Sequence, residues 1–426
     1  MFGRPVGALW NTLIIQGTHF NISSVWIARA TTFTLLLFML YLVDKRLFRT
    51  GFSNHKRKMM LLGMASVYGV QETIFWATAS FILVALALAV IADFAFNSNV
   101  KFRRLLTGIL LVTSMSTYQF QAGIFLVFQY LIWRNQNLKN NRKFAEAIGL
   151  FVISSTFYLI FIKIFLILVV KIRPWIENFY YGERSISISD PSRWLPSLAN
   201  HLLFDLHLFG PFIPIWLILT ILTFLKLINI DSKRVDRDSI RDLLVAATIV
   251  LIILGPIILT NSSDQTLLFR TDIPVQVFFI FLVINSFSKK RLKIVTVLFS
   301  TIPIVSILLT TNNVSVNLHN EFRQLMKIEF ETTVSSPICV KPSNIKPKLF
   351  TPFGMDLPRS KPDEWGMYTS NFPSDLPGLI NGIYNQQRGI DSSMGPLISV
   401  LVPGVNTPEE LEACNQKLDL NDILKP

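Results

Sequence analysis

Glu72 sits in a polar knot, Gln71-Glu72-Thr73, inside an otherwise apolar run from Met59 to Phe96. A second knot, Ser116-Thr117-Tyr118-Gln119, interrupts the run from Leu105 to Trp133. A carboxylate in hydrocarbon is expensive and is often retained for function, here as a base for an acceptor hydroxyl. A solvated loop residue is the competing reading for Glu72; satisfying a helix break is the competing reading for Tyr118 and Gln119. Further along, Lys171–Gly210 carries Arg173, Trp175, Glu177, Tyr180, Tyr181, Glu183, Arg184, Asp190, Arg193 and Trp194. Arginine forks match phosphate oxygens, and aromatic faces suit sugar rings. For any one of these residues taken singly, an ordinary interfacial belt of Trp, Tyr and Arg is the somewhat stronger reading. Lys163, within a span, and Arg270, in the short loop before Pro274, are candidates for a carrier-lipid phosphate. Snorkelling to the surface and a headgroup contact are their respective alternatives.

The elements that must position these residues are membrane hairpins. Lys56, Arg57 and Lys58 precede the first run, Lys101, Arg103 and Arg104 separate the two, and Arg134, Lys139, Arg142 and Lys143 follow the second. Basic residues stay on the cytoplasmic side, so each run must go out and return, with its polar knot as the outer tip. At ~1.5 Å per residue the arm Met59–Val70 climbs only ~18 Å through a core ~30 Å thick. The tips are therefore expected below the outer surface, inside protein.

The 426 residues are 51% hydrophobic and only 16% charged, against ~25% charged in a soluble domain. This composition defines a polytopic membrane protein. A net charge of +13 raises nucleic acid as a partner. However, residues from Asn312 onward hold 13 acids and 10 bases, so the excess lies wholly in residues 1–311. Those cations cluster in short loops, without the aromatic interleaving that grips a strand. The bilayer is the expected partner, and nucleic acid is not.

Val6, Leu9, Trp10, Leu13 and Gly17 follow helical spacing over too few residues to span, which predicts a helix in the outer interface. Spans are then predicted near Ser24–Val43, the two hairpins, Ala145–Val170, Pro211–Leu227, Leu243–Thr260, Pro274–Phe287 and Ile294–Thr310. The total is about ten, with the amino terminus and the carboxy-terminal tail both extracytoplasmic. Asp93, near the cytoplasmic end of its span beside Lys101, is expected at the interface. No cationic stretch precedes an apolar h-region, so no cleaved signal peptide is expected.

The fold class expected is an all-α polytopic membrane domain, 1–311, with a small α+β extracytoplasmic domain, 312–426. In that tail Asp375–Gln387 reads as a helix, Leu397–Val402 as a strand, and Thr407-Pro408-Glu409-Glu410 as a capping box. Its Cys339 and Cys414, the chain's two cysteines, are a disulfide candidate in an oxidising compartment, with two free thiols as the alternative.

The cytoplasmic loops are too short for a nucleotide-binding domain, and no glycine-rich phosphate loop occurs. The five histidines include no metal-ligand spacing, so no zinc site is expected; a divalent metal requirement stays open. No further cofactor is called for. Any group transferred on the outer face must arrive already activated, which points to a lipid carrier.

Gly3-Arg4-Pro5 ahead of an interfacial helix, Glu72-Thr73-Ile74-Phe75-Trp76-Ala77 opening a span, Thr117-Tyr118-Gln119 at a tip and Leu268-Phe269-Arg270 before a late span occur in that order. Over roughly residues 3–311 this resembles the bacterial multispan type II glucosyl transferases that decorate O-antigen, within the GT-C class. The resemblance implies a GT-C-like fold in the inner membrane. It also implies transfer of a glucosyl group from a polyprenyl-phosphate sugar to a glycan acceptor such as the O-antigen of lipopolysaccharide. Arg4, Arg270 and Lys163 would then hold the carrier phosphate, and Tyr118, Gln119 and Trp76 would line the pocket. Members of that class carry a further span and an acidic outer loop before the Gly-Arg-Pro stretch. This form is expected to lack both, leaving Glu72 as the best remaining catalytic acid. An O-antigen polymerase and a transporter or flippase for lipid-linked sugars are the alternative readings.

Overall fold

The computed structural model describes residues 25–67, 80–135, 141–172, 237–259, 273–286, 319–330, 338–343, 376–388, 398–400 and 416–424, with a few single positions between them. They are mostly helical, with one small sheet. Two compact units divide the chain. One is Met1–Asn11, Thr31–Ser306 and Met355–Ser360; the other is Thr12–Ala30, Ile307–Gly354 and Lys361–Pro426.

From Thr31 onward α1 (Val25–Arg49) belongs to the first unit, and it ends with Arg46 and Arg49 in its last turn, where cations complement the helix dipole. Gly51, at φ 83°, stops it. The Gly51 and Phe52 N–H groups return to the carbonyls of Phe48 and Leu47 at 3.1 and 3.3 Å, a Schellman motif. The Ser53 hydroxyl then accepts from the Lys56 N–H and caps α2 (Asn54–Ser66). Helix α2 runs antiparallel to α8 (Ile273–Ser286): the Lys56 ammonium donates to the Asn285 carbonyl at 3.2 Å, and Gly63 lies against Ile280.

Helix α3 (Ser80–Phe96) is buried along nearly its whole length and forms the axis of this unit. Helix α4 (Arg103–Tyr118) climbs back along it. Thr107 Oγ1 lies 3.4 Å from the Ala92 carbonyl, Ser114 Oγ donates to the Ala85 carbonyl at 2.8 Å, and the Tyr118 ring meets Phe81 at 5.6 Å. Small residues at Ala85, Ala89 and Ala92 permit this close approach. At Tyr118 the backbone becomes extended (φ −156°, ψ 106°), a 3-10 turn covers Gln119–Gly123, and α5 (Ile124–Asn135) descends. Gln129 reaches Asp93, and the Asn135 amide donates to the Thr50 carbonyl at 2.7 Å.

Among the described residues, three helical stretches are long and apolar enough to cross a membrane: Ile27–Arg49, Arg103–Asn135 and Asn141–Phe165. The middle one is folded, since Thr107 and Gln129 both meet the same end of α3 while Tyr118 meets the other. The second run is thus a hairpin, broken at the Tyr118-Gln119 knot. Helix α6 (Asn141–Ile172) keeps Val152, Ile153, Phe157, Ile160 and Ile164 exposed. Only 28% and 22% of the most apolar windows of α1 and α6 are buried inside the protein. Such uncovered apolar faces suit a lipid environment, and the unit is that of a membrane protein. Helix α7 (Arg237–Leu259) completes its described part. The spans expected at Pro211–Leu227 and Ile294–Thr310, and the tip Gln71-Glu72, fall outside or almost outside the described residues.

In the second unit β1 (Ile338–Lys341) lies between β2 (Ile398–Val400) and β3 (Gln416–Asp419), with both pairings parallel. Helix α9 (Leu376–Arg388) links β1 to β2 in sequence, and its Leu376, Ile380, Ile383 and Tyr384 pack with Ile338, Val340 and Leu418 in one core. A helix packed on a small sheet fits the α+β expectation, and the parallel pairing shows that these strands are joined by long connections rather than hairpins. The α9 helix and the β2 strand fall within a residue or two of their expected limits. The capping box at Thr407 lies outside the described residues. Cys339, in β1, is disulfide-bonded to Cys414, with Cα atoms 5.6 Å apart across a separation of 75 residues. The exposed Lys341 ammonium donates to Asp419 at 2.8 Å. That hydrogen bond holds the Asp419 carboxyl below its ordinary range and raises the lysine.

Candidate functional site

The helix break at Tyr118 builds a buried polar tip. Tyr118 is 1% exposed and packs between Phe81 and Phe120. The Tyr158 hydroxyl of α6 donates to Gln119 Oε1 at 3.4 Å. Gln121 is fully buried within the 3-10 turn. Gly123 lets this turn approach α7 and α8, because a Cβ there would stand 3.0 Å from Ile253 and 3.3 Å from Pro274. On α8, Gln276 is fully buried, and neither its amide nitrogen nor its oxygen has a partner among the described residues. A buried amide without partners is costly, so the tip end holds unused hydrogen-bonding capacity.

The amino-terminal segment docks on this same tip. Trp10 Nε1 donates to Ser80 Oγ at 2.9 Å, at the first residue of α3. Gly7 lies directly on the Thr117 carbonyl, where any Cβ would overlap the oxygen. Replacing Gly7 with alanine must displace backbone, and is expected to cost about 1–3 kcal/mol. Thermal unfolding of the purified variant checks this; an unchanged midpoint would mean the segment sits elsewhere.

Of the sequence-derived site residues, Tyr118 and Gln119 are brought together at the tip, and Cys339 and Cys414 are joined. Lys163 is exposed on α6 beside exposed Ile160 and Ile164. It lies five residues from Tyr158 and so on a different side of the helix. Arg4, Glu72, Trp76, Arg173, Tyr180, Arg184 and Arg270 lie outside the described residues. Thr73, next to Glu72, is buried and donates to the Val70 carbonyl at 2.7 Å.

The opposite, basic end holds a network that the sequence reading missed. Asp93, near the basic end of α3, does not face outward. It is fully buried, ion-paired with Arg46 of α1 and hydrogen-bonded by the Gln129 amide of α5. The next residue on α5, Tyr130, donates to Asp242 of α7, which also pairs with Arg134 at 3.1 Å. Two carboxylates, on α3 and α7, are thus both tied to α5. Asp93 draws its partners from two different helices, α1 and α5, which proximity to Lys101 in sequence does not reveal. Apolar-flanked Gln129 was the available signal, since an amide inside a span needs a partner.

In comparisons with known proteins, no family model, no curated protein and no solved structure matches this chain.

Proposed function

We propose that this chain is an integral-membrane glycosyltransferase. It moves a sugar, glucosyl by the resemblance, from a polyprenyl-phosphate carrier to an extracytoplasmic glycan such as O-antigen. The observation that supports this reading is the broken hairpin tip, with Tyr118 and Gln119 at the break and the amino-terminal segment seated on Thr117 and Ser80. That docking brings the chain following Gly3-Arg4-Pro5 to the same end of the unit as Tyr118-Gln119. In this reading Glu72 is the acid at the neighbouring tip, Arg4 and Arg270 bind the carrier phosphate, and Arg173, Tyr180 and Arg184 serve donor or acceptor from the outer loop.

The test is reconstitution of the purified protein in vesicles with a polyprenyl-phosphate sugar and a glycan acceptor. Glu72→Gln is expected to lower transfer on the order of a hundredfold, as for loss of a general base, with its unfolding midpoint unchanged. Wild-type transfer by that variant would remove Glu72 from the role.

A carrier of lipid-linked sugars across the membrane is a second reading. It is favoured by polar groups inside the bundle at both ends, Gln276 at one and Asp93 with Gln129 at the other. Movement of the lipid-linked sugar between leaflets with no glycosyl transfer would select it.

A further inference from the structure

We propose that the corner between α3 and α4 is a binding site for the phosphate headgroup of an anionic membrane phospholipid. An open cavity of about 470 Å³ is lined here by seven consecutive residues, among them Lys101, Arg103 and Arg104. Three cations within four positions make this cavity a match for phosphate, and no acid is among the described residues of its lining. Arg104 is partly neutralised by Glu146 at 2.6 Å. Lys101 holds its ammonium 5.7 Å from the Phe102 ring. Lys143 of α6 stands within electrostatic reach of Arg103 and adds to the positive field.

The apolar residues at the corner identify a lipid rather than a free anion. Val100, Phe102 and Leu105 are 53%, 64% and 63% exposed, in the same stretch as the cations. From Phe102 the exposed stripe continues through Leu105, Leu106 and Ile109 at helical spacing. It runs ~10 Å up α4 from the cationic corner. A headgroup phosphate held by Lys101 and Arg103 would therefore lay its acyl chains along this stripe. The positive amino-terminal end of α4 adds to the attraction. A soluble phosphate compound would use the cations and leave the stripe bare. This site lies at the basic end, away from the Tyr118 tip, and does not depend on the glycosyl-transfer reading.

The experiment is native mass spectrometry of the delipidated full-length protein titrated with phosphatidylglycerol or phosphatidylcholine of the same chain length. Phosphatidylglycerol is expected to bind more tightly. A surface cation contributes about 1 kcal/mol toward an anionic lipid, about fivefold in affinity, so Lys101→Gln with Arg103→Gln should weaken it about 30-fold. The charge-preserving pair Lys101→Arg with Arg103→Lys should retain binding. Phe102→Ser should weaken phosphatidylglycerol while leaving any binding of inorganic phosphate unaltered. Equal binding of the two lipids, or no loss in the glutamine pair, overturns the proposal. So does equal loss in both double variants, which would mark a structural effect. Inorganic phosphate displacing the lipid at equal concentration would also overturn it in favour of a soluble anion.

Discussion

Asp93→Ala is expected to destabilise the membrane unit by about 3–5 kcal/mol, the cost of leaving one member of a buried ion pair without the other. Arg46 would keep its charge at 5% exposure while losing the carboxylate that faces it, and Gln129 would lose its acceptor. The size of the effect separates two descriptions of the network. Neutral hydrogen bonds between membrane helices average only ~0.6 kcal/mol, so a loss near that value would mean that Arg46 turns outward to water and headgroups. A loss several times larger would mean that the guanidinium remains enclosed. Asp93→Asn should fall between, because it retains the shape and one acceptor oxygen. The double variant Arg46→Met with Asp93→Leu removes both charges and should recover most of the stability, as replacement of buried pairs by apolar residues does elsewhere. Reversible unfolding in mixed micelles measures each variant, and the single variants Arg46→Met and Asp93→Leu complete a double-mutant cycle with the wild type and the double variant. If the double variant were as unstable as Asp93→Ala, the pair would not be the source of the loss.

Asp93 also marks where the sequence stopped being informative. Helices α1, α6 and α9 are legible because each carries a sustained apolar pattern with cations or a breaker at its ends. The second hairpin is legible because cations flank both sides of a run containing one polar knot, and topology then forces a return. The partners of Asp93 are not legible because its nearest sequence cation is Lys101, whereas Arg46 and Gln129 are 47 and 36 residues away. The parallel sheet was hidden for the same reason. Strands β1 and β3 have four residues each, and Lys341 finds Asp419 across 78 positions. Short strands carry little periodicity, and parallel partners leave no turn signal between them. At the candidate site, polarity inside an apolar run located Tyr118 and Gln119, while nothing in the pattern indicated that Gly7 and Trp10 would seat on the same tip. Gln276 is not legible in the sequence, because a lone amide is notable only once its burial is known.

The Cys339–Cys414 bond should have a comparably large effect on the second unit. It closes a separation of 75 residues, and on the chain-entropy model such a loop contributes about 4–5 kcal/mol. The position of the bond within the fold argues that the effect is felt by the sheet. Cys339 lies in the central strand, opposite Ser399 on one side and Lys417 on the other, while Cys414 stands two residues before β3. Without the bond, β3 is held to β1 by four parallel pairings, the Lys341–Asp419 ion pair and the contacts of Leu418 and Leu420 with the core. An exposed ion pair contributes at most about 1 kcal/mol, too little to replace the covalent tether. The double variant Cys339→Ser with Cys414→Ser is therefore expected to release β3 first. Amide exchange of residues 416–424 should become fast while α9, packed through Leu376, Ile380 and Ile383, stays protected. Reductant should produce the same change in the unmodified protein. In intact cells both thiols should resist a maleimide until reductant is added, because a disulfide persists where the compartment is oxidising. Thiols that react at once would place the tail on the reducing side, and with it would fall the outward orientation on which the glycosyl-transfer reading depends.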